Sequence, residues 1–255
     1  MKKLFFIPFA GLLLLSACKT YQLNTISSVN VPMDDKTGKF NVENDSVKIT
    51  YSFSGKNAPI NVAVYNKLNE PIYVDWKRSA YIIDKKATSF SDRAVKIDGT
   101  YDGATSQYHS GKYSGTSYTS GSLQATANLP ENIMFIPPHA EVDKTLAEIA
   151  PEQNRFIQDS LVTKVQINDQ LTAMPFNAKM AKFNKSNSPL FFKSYITMYT
   201  INNNVQKFMT YTNEFYVSET VESAHGPESF SWFKPQRGDS FYSNIKSQWG
   251  RAGAN

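Results

Sequence analysis

Ser46-Val47-Lys48-Ile49-Thr50-Tyr51-Ser52-Phe53 decides the fold class. Apolar and polar residues alternate, so Val47, Ile49, Tyr51 and Phe53 share one face of an extended strand and the polar residues share the other. The pattern returns at Ile60 to Tyr65, with Ile60, Val62 and Val64 on the apolar face. Asn69-Glu70-Pro71 then supplies turn chemistry before Ile72-Tyr73-Val74, and a further β-rich run covers Ala80 to Ile83. Later strands are expected at Ile133 to Ile136, along Ala140, Val142, Lys144 and Leu146, and at Val162 to Ile167, Leu190 to Ile201 and Lys207 to Glu219. One short helix is expected around Pro151 to Leu161, with Pro151 in its first turn. Short, regularly punctuated strands without long amphipathic helices predict an all-β chain, an antiparallel β-sandwich over residues 46–225.

Two segments break this pattern. Between Asp98 and Asn128, Gly, Ser and Thr make up 16 of 31 residues, with tyrosines spaced among them. Such a low-complexity insertion cannot bury a core of its own. It is expected to be an excursion between two strands, disordered or hairpin-like. Tyr108, Tyr113 and Tyr118 are its candidate ligand contacts, because rigid amphipathic tyrosine suits stacking on a sugar or peptide. From Gly226 to Asn255 runs an irregular C-terminal tail mixing Phe230, Trp232, Phe233, Phe241, Tyr242 and Trp249 with Lys234, Arg237, Lys246 and Arg251. Docking back onto the chain's own domain is the first expectation for it, and contact with a partner or membrane headgroups the second.

The chain has 255 residues with 27 Lys and Arg against 22 Asp and Glu, a net charge of +5. The basic residues are spread rather than clustered, so no nucleic-acid partner is expected. At the N-terminus, Lys2 and Lys3 precede an apolar run from Leu4 to Leu15, which has the proportions of a secretory signal and is too short to span a bilayer. It closes on Leu15-Ser16-Ala17-Cys18, which resembles the lipobox of bacterial lipoproteins. The resemblance implies cleavage between Ala17 and Cys18, a diacylglycerol on the Cys18 thiol and an acylated new amine. Two or three acyl chains are what stable anchoring requires. Cys18 is the only cysteine, so no disulfide, Cys-ligated metal or catalytic thiol is expected elsewhere. Removal of residues 1–17 leaves a charge of +3. Residues 18–45, polar and without a clear period, are expected to be a flexible tether from the membrane. No acidic run follows Cys18, which favours an outer-membrane anchor facing the periplasm over surface display.

Asn66 to Ser79, containing Asp75-Trp76-Lys77-Arg78-Ser79, together with Ile136-Pro137-Pro138, Asn187 to Phe192 and Phe215 to Ser218, resembles uncharacterised bacterial envelope lipoproteins of Ig-like sandwich build. The resemblance spans about residues 46–220 and implies a fold but no activity. From the residues alone, Trp76 is expected to fill the core while Asp75 and Ser79 close a turn on nearby backbone groups.

The search for chemistry yields little. Lys36-Thr37-Gly38 with Ser231 to Lys234 is similar to pieces of penicillin-recognising serine enzymes, but in reversed order and without the middle motif. His109, His139 and His225 stand singly rather than at metal-ligand spacing, so no metal or cofactor is expected. Arg237-Gly238-Asp239 matches the integrin-binding tripeptide, a match expected by chance from a Gly-centred polar turn in a C-terminal tail. The expected function is a lipid-anchored, non-catalytic binding or assembly module of the cell envelope. Its partner would be an envelope protein or a glycan. A surface carbohydrate-binding lipoprotein using the tyrosine-rich insertion is the alternative, and an envelope hydrolase with a carboxylate pair is a third.

Overall fold

The computed structural model describes residues 20–91, 96–109, 115–128, 132–149, 157, 159–233 and 237–245. The lipobox with Ala17 and Cys18, and Tyr113, lie outside them. So does most of the expected helix; its described end holds only a 3-10 turn at Asp159–Leu161.

The chain is all-β, built of two stacked sheets and a separate two-stranded hairpin. The smaller sheet has four antiparallel strands, β2 (Phe40–Glu43), β3 (Val47–Ser52), β5 (Pro59–Asn66) and β11 (Glu141–Glu148), in the order β11-β5-β3-β2. The alternation read from β3 and β5 sets its inner face: Val47, Ile49, Tyr51, Ile60, Val62 and Val64 are all buried. The larger, ten-stranded sheet is centred on two long strands, β14 (Phe191–Asn202) and β15 (Val205–Ser223). On one side of them lie β6 (Ile72–Ile83), β7 (Lys86–Ser89) and β10 (Ile133–Ile136). On the other lie β1 (Thr20–Ser28), β16 (Ser240–Ile245) and short β4 (Gly55–Lys56), while the pair β12 (Thr163–Asn168) and β13 (Pro175–Lys182) joins the edge of β15 that β14 uses, beyond the start of β14. All pairings are antiparallel except β4 with β16. Between the sheets, Phe53 meets Phe192 and Phe215 edge-on at centroid distances of 5.4 and 5.0 Å, the geometry that aromatic quadrupoles favour.

Two expectations need correction. Residues 18–45 are not a tether throughout: β1 is an interior strand, hydrogen-bonded to β15 on one side and β16 on the other. Its strand character is hidden because buried positions are polar and satisfied across the ladder. Asn24 Oδ1 accepts from Thr220 Oγ1 at 2.7 Å, and Gln22 Nε2 donates to Glu222 at 3.2 Å. The tail is likewise not irregular throughout, since Ser240–Ile245 forms β16 on the free edge of β1.

A bulge in β15 gives the large sheet a second core. Thr25 faces Glu219 while Ile26 faces Val217, so Ser218 has no counterpart and the alternation of β15 inverts there. Phe215 and Val217 therefore join the main core, whereas Val221 joins a second cluster with Leu23, Ala178, Phe230 and Phe233. The tail segment after the 3-10 turn Pro227–Ser229 supplies both phenylalanines and covers this outer face.

The insertion is a hairpin of two 14-residue strands, β8 (Lys96–His109) and β9 (Gly115–Asn128), paired in register from Lys96 with Asn128 to His109 with Gly115.

Candidate functional site

The Asp75 to Ser79 segment organises the surface of greatest interest. β6 pairs with β14 through Asp75 with Thr197 and Ala80 with Tyr195, so the four residues Trp76 to Ser79 stand opposite Ile196 alone. Side chains close this wide bulge, as the sequence suggested. Asp75 Oδ1 accepts the Arg78 backbone N–H at 3.0 Å, Ser79 Oγ donates to the Asp75 carbonyl at 2.6 Å, and the Thr197 N–H donates to Ser79 Oγ at 2.9 Å. Asp75 and Ser79 are buried structural residues. Trp76 is wholly buried and joins the main core, and its Nε1 has no hydrogen-bond partner among the described residues.

The bulge does two further things. It roots the insertion: the Trp76 N–H donates to the Asn132 carbonyl at 2.8 Å, the Phe90 N–H to the Ser79 carbonyl at 3.0 Å, and Ser91 Oγ bonds Asn132 Oδ1. It also aims Arg78 outward, where the guanidinium lies 5.2 Å from the centre of the Phe208 ring and Nε lies 3.6 Å from Asp75 Oδ2.

Phe208 ends a file of four rings on the outer face of the large sheet. Phe135 is opposite Tyr73, Tyr73 opposite Tyr199, and Tyr199 opposite Phe208, so the rings follow one line across β10, β6, β14 and β15. Successive centroids are 5.5, 5.1 and 5.5 Å apart, and the two tyrosines are parallel within 10°. Phe135 is 51% exposed and Phe208 44%, with exposed Ile133 and Ile201 two residues along the same strands from Phe135 and Tyr199. Because the tyrosine faces are spent on each other, and a guanidinium sits over Phe208, the file offers solvent mainly ring edges. That surface suits apolar protein contact better than stacking of a sugar ring. Sequence reasoning missed it: its members come from strands far apart in the chain, and the exposed phenylalanines at 135 and 208 were the only available signal.

The other candidates disperse. Tyr108 and Tyr118 lie in the hairpin, opposite Thr116 and Ser106 respectively rather than opposite each other. His109 is opposite Gly115, His139 Nε2 lies 2.9 Å from Asn69 Oδ1, and His225 stacks on Phe176 with Nδ1 3.2 Å from Asp169 Oδ2. Among the described residues no group of three or more His, Cys, Asp or Glu could hold a metal, and no helix is long and apolar enough to cross a membrane. Arg237 and Asp239 are engaged internally, paired with each other at 2.8 Å while the Phe53 N–H donates to the Gly238 carbonyl. An open depression of about 250 Å³ beside Lys164, Asn177 and Glu222 is smaller than an ordinary ligand pocket.

Among the described residues the ionisation of buried Tyr51 and Asp169 is shifted, as is that of the more exposed Asp34 and Glu214. Burial pushes the Tyr51 phenol up to about 12, against the opposing pull of Ser194 and Asn213, which hydrogen-bond its oxygen. The Leu171 backbone N–H holds the Asp169 carboxylate below its ordinary range despite its desolvation, helped by Ser229, the Thr172 N–H and His225. Both serve the fold. Comparison with protein-family models found no match, and comparison with curated proteins found none either.

Proposed function

We propose that this protein is a lipid-anchored module of the bacterial cell envelope, held through acylated Cys18, that works by binding another envelope protein rather than by catalysis. The observation that carries the reading is the aromatic file Phe135-Tyr73-Tyr199-Phe208, with its ends exposed beside Ile133 and Ile201 on a rigid sheet. Apolar rings held in place by cross-strand packing lose little side-chain entropy when a partner covers them, which is how interface anchors gain their effect.

The test places a photo-crosslinking residue at position 133 in living cells, with position 171 in the β12–β13 turn as an even more exposed apolar control. A discrete adduct at 133, absent at 171 and weakened by Phe135→Ser with Phe208→Ser, is the expected result. Equal adducts at both positions, or none, would sink the reading. Acyl labelling lost in Cys18→Ala checks the anchor. Protease protection in intact cells, lost on permeabilisation, checks that it faces the periplasm.

A further inference from the structure

The hairpin β8–β9 is longer than a loop excursion needs to be. Its strands carry 14 residues each, roughly 46 Å at about 3.3 Å per residue. Among the described residues they pair only with each other, with no ladder on either outer edge. Gly103, Ala104, Gly121 and Ser122 are exposed, and these take one neighbour from each alternating set on each strand, so neither face is covered there. A free two-stranded ribbon is marginal in water.

The register sorts the hairpin's sequence into two unlike sets. Ile97 is opposite Ala127, Gly99 opposite Ala125, Tyr101 opposite Leu123 and Gly103 opposite Gly121, a set free of charge that continues to Thr105 opposite Thr119. The alternate set pairs Lys96 with Asn128, Asp98 with Thr126, Thr100 with Gln124 and Asp102 with Ser122. All three charged residues of the two strands, Lys96, Asp98 and Asp102, fall in this second set. Small and apolar residues at one set of alternating register positions, polar and charged ones at the other, over nine residues per strand from Ile97 to Thr105 and Thr119 to Ala127, is the dyad pattern of a strand that crosses a membrane as part of a barrel. Such a strand needs about 9–11 residues when tilted.

We infer that β8–β9 is a membrane-spanning stem, its Ile97–Leu123–Ala127 face toward lipid and its Asp98–Asp102–Gln124 face toward a polar lumen. Open strand edges are not tolerated in hydrocarbon, so stems from several copies of the chain must pair edge to edge into a closed barrel. The smallest such barrels have about eight strands, which sets a minimum of about four copies. The inference uses the Cys18 anchor of the proposed function only to bring the sandwich to a membrane.

The test uses the full lipidated chain with liposomes of phosphatidylethanolamine and phosphatidylglycerol. A polarity-sensitive fluorophore is attached to a cysteine introduced singly at Leu123, Gln124, Ala125 or Thr126. Quenching by brominated acyl chains at positions 123 and 125, and not at 124 and 126, is the expected result. Leu123→Asp should abolish the quenching at 125, whereas Gln124→Asp should leave it. Absence of quenching, whether or not the chain floats with the vesicles, overturns the stem. Equal spectral shifts at all four positions would mark burial against a protein or glycan and overturn it too. The anchor is read separately: alternating quenching in the unlipidated Cys18→Ala chain would show the anchor to be dispensable and leave the stem standing.

Discussion

At the scale of the residue, Tyr51 shows how a polar group is accommodated inside an aromatic core. Its hydroxyl lies between Asn213 Nδ2 at 2.9 Å and Ser194 Oγ at 3.3 Å, with all three residues buried. Tyr51→Phe keeps the ring's contacts but leaves two buried donors facing a hydrocarbon edge, so a loss of about 1–3 kcal/mol in urea unfolding is expected. The phenol also makes stability depend on alkali. Its folded-state pKa, raised to about 12 from 10.0, means the unfolded chain loses this proton first. Stability from this group is fully present below about pH 10 and declines as pH rises from there toward 12, by roughly 2–3 kcal/mol at about 1.4 per unit. The difference between wild type and Tyr51→Phe across that interval isolates it from the other tyrosines, and parallel pH curves would refute it. Trp76, Asp75 and Ser79 behaved as their residue types suggested, because a core-filling indole and two turn-closing oxygens act on neighbours close in the chain.

At the scale of the element, the β12–β13 pair and the tail hold each other on the outer face of the large sheet. Phe230 packs edge-on against Phe176 at 5.4 Å, the Gln170 N–H donates to the Ser229 carbonyl at 3.0 Å, and Asp169 bonds His225. Phe230→Ala is expected to cost about 3–5 kcal/mol. Limited proteolysis should then cut first within residues 226–233, and cleavage elsewhere would show that Phe230 does not pin this segment. Asp169 adds an acid dependence of opposite sign to that of Tyr51. Its pKa is lowered on folding, so its contribution is present above the ordinary carboxylate range and is lost as pH falls through it. Thermal midpoints of Asp169→Asn should accordingly fall less steeply with acidification than those of the wild type. The alternation of Phe176, Ala178 and Met180 in β13 carried a faint strand signal. Pairing with Val221 turned it into structure, since Met180 lies directly opposite that residue.

At the scale of the whole molecule, the parts differ in how much they depend on one another. Deleting residues 20–28 removes a strand bonded on both sides, so cooperative unfolding should disappear; a tether in that place could be cut without consequence. Replacing residues 98–128 by a short turn should instead leave the melting midpoint close to that of the full chain, because among the described residues β8 and β9 pair with each other and not with the sandwich sheets. Calorimetry on the two deletions decides both. Local alternation alone determined the all-β class, the inner faces of β3 and β5, and the positions of β10, β11, β14 and most of β15, because a strand with one face buried and one face wet must repeat every two residues. What the sequence left undecided was carried by partners remote in the chain. The polar strand β1 was placed by bonds to β15 and β16, the second core by an inverted alternation at Ser218, and the aromatic file by four strands meeting in register. None of these leaves a local period, since each depends on which strands lie side by side, and that only the tertiary structure decided.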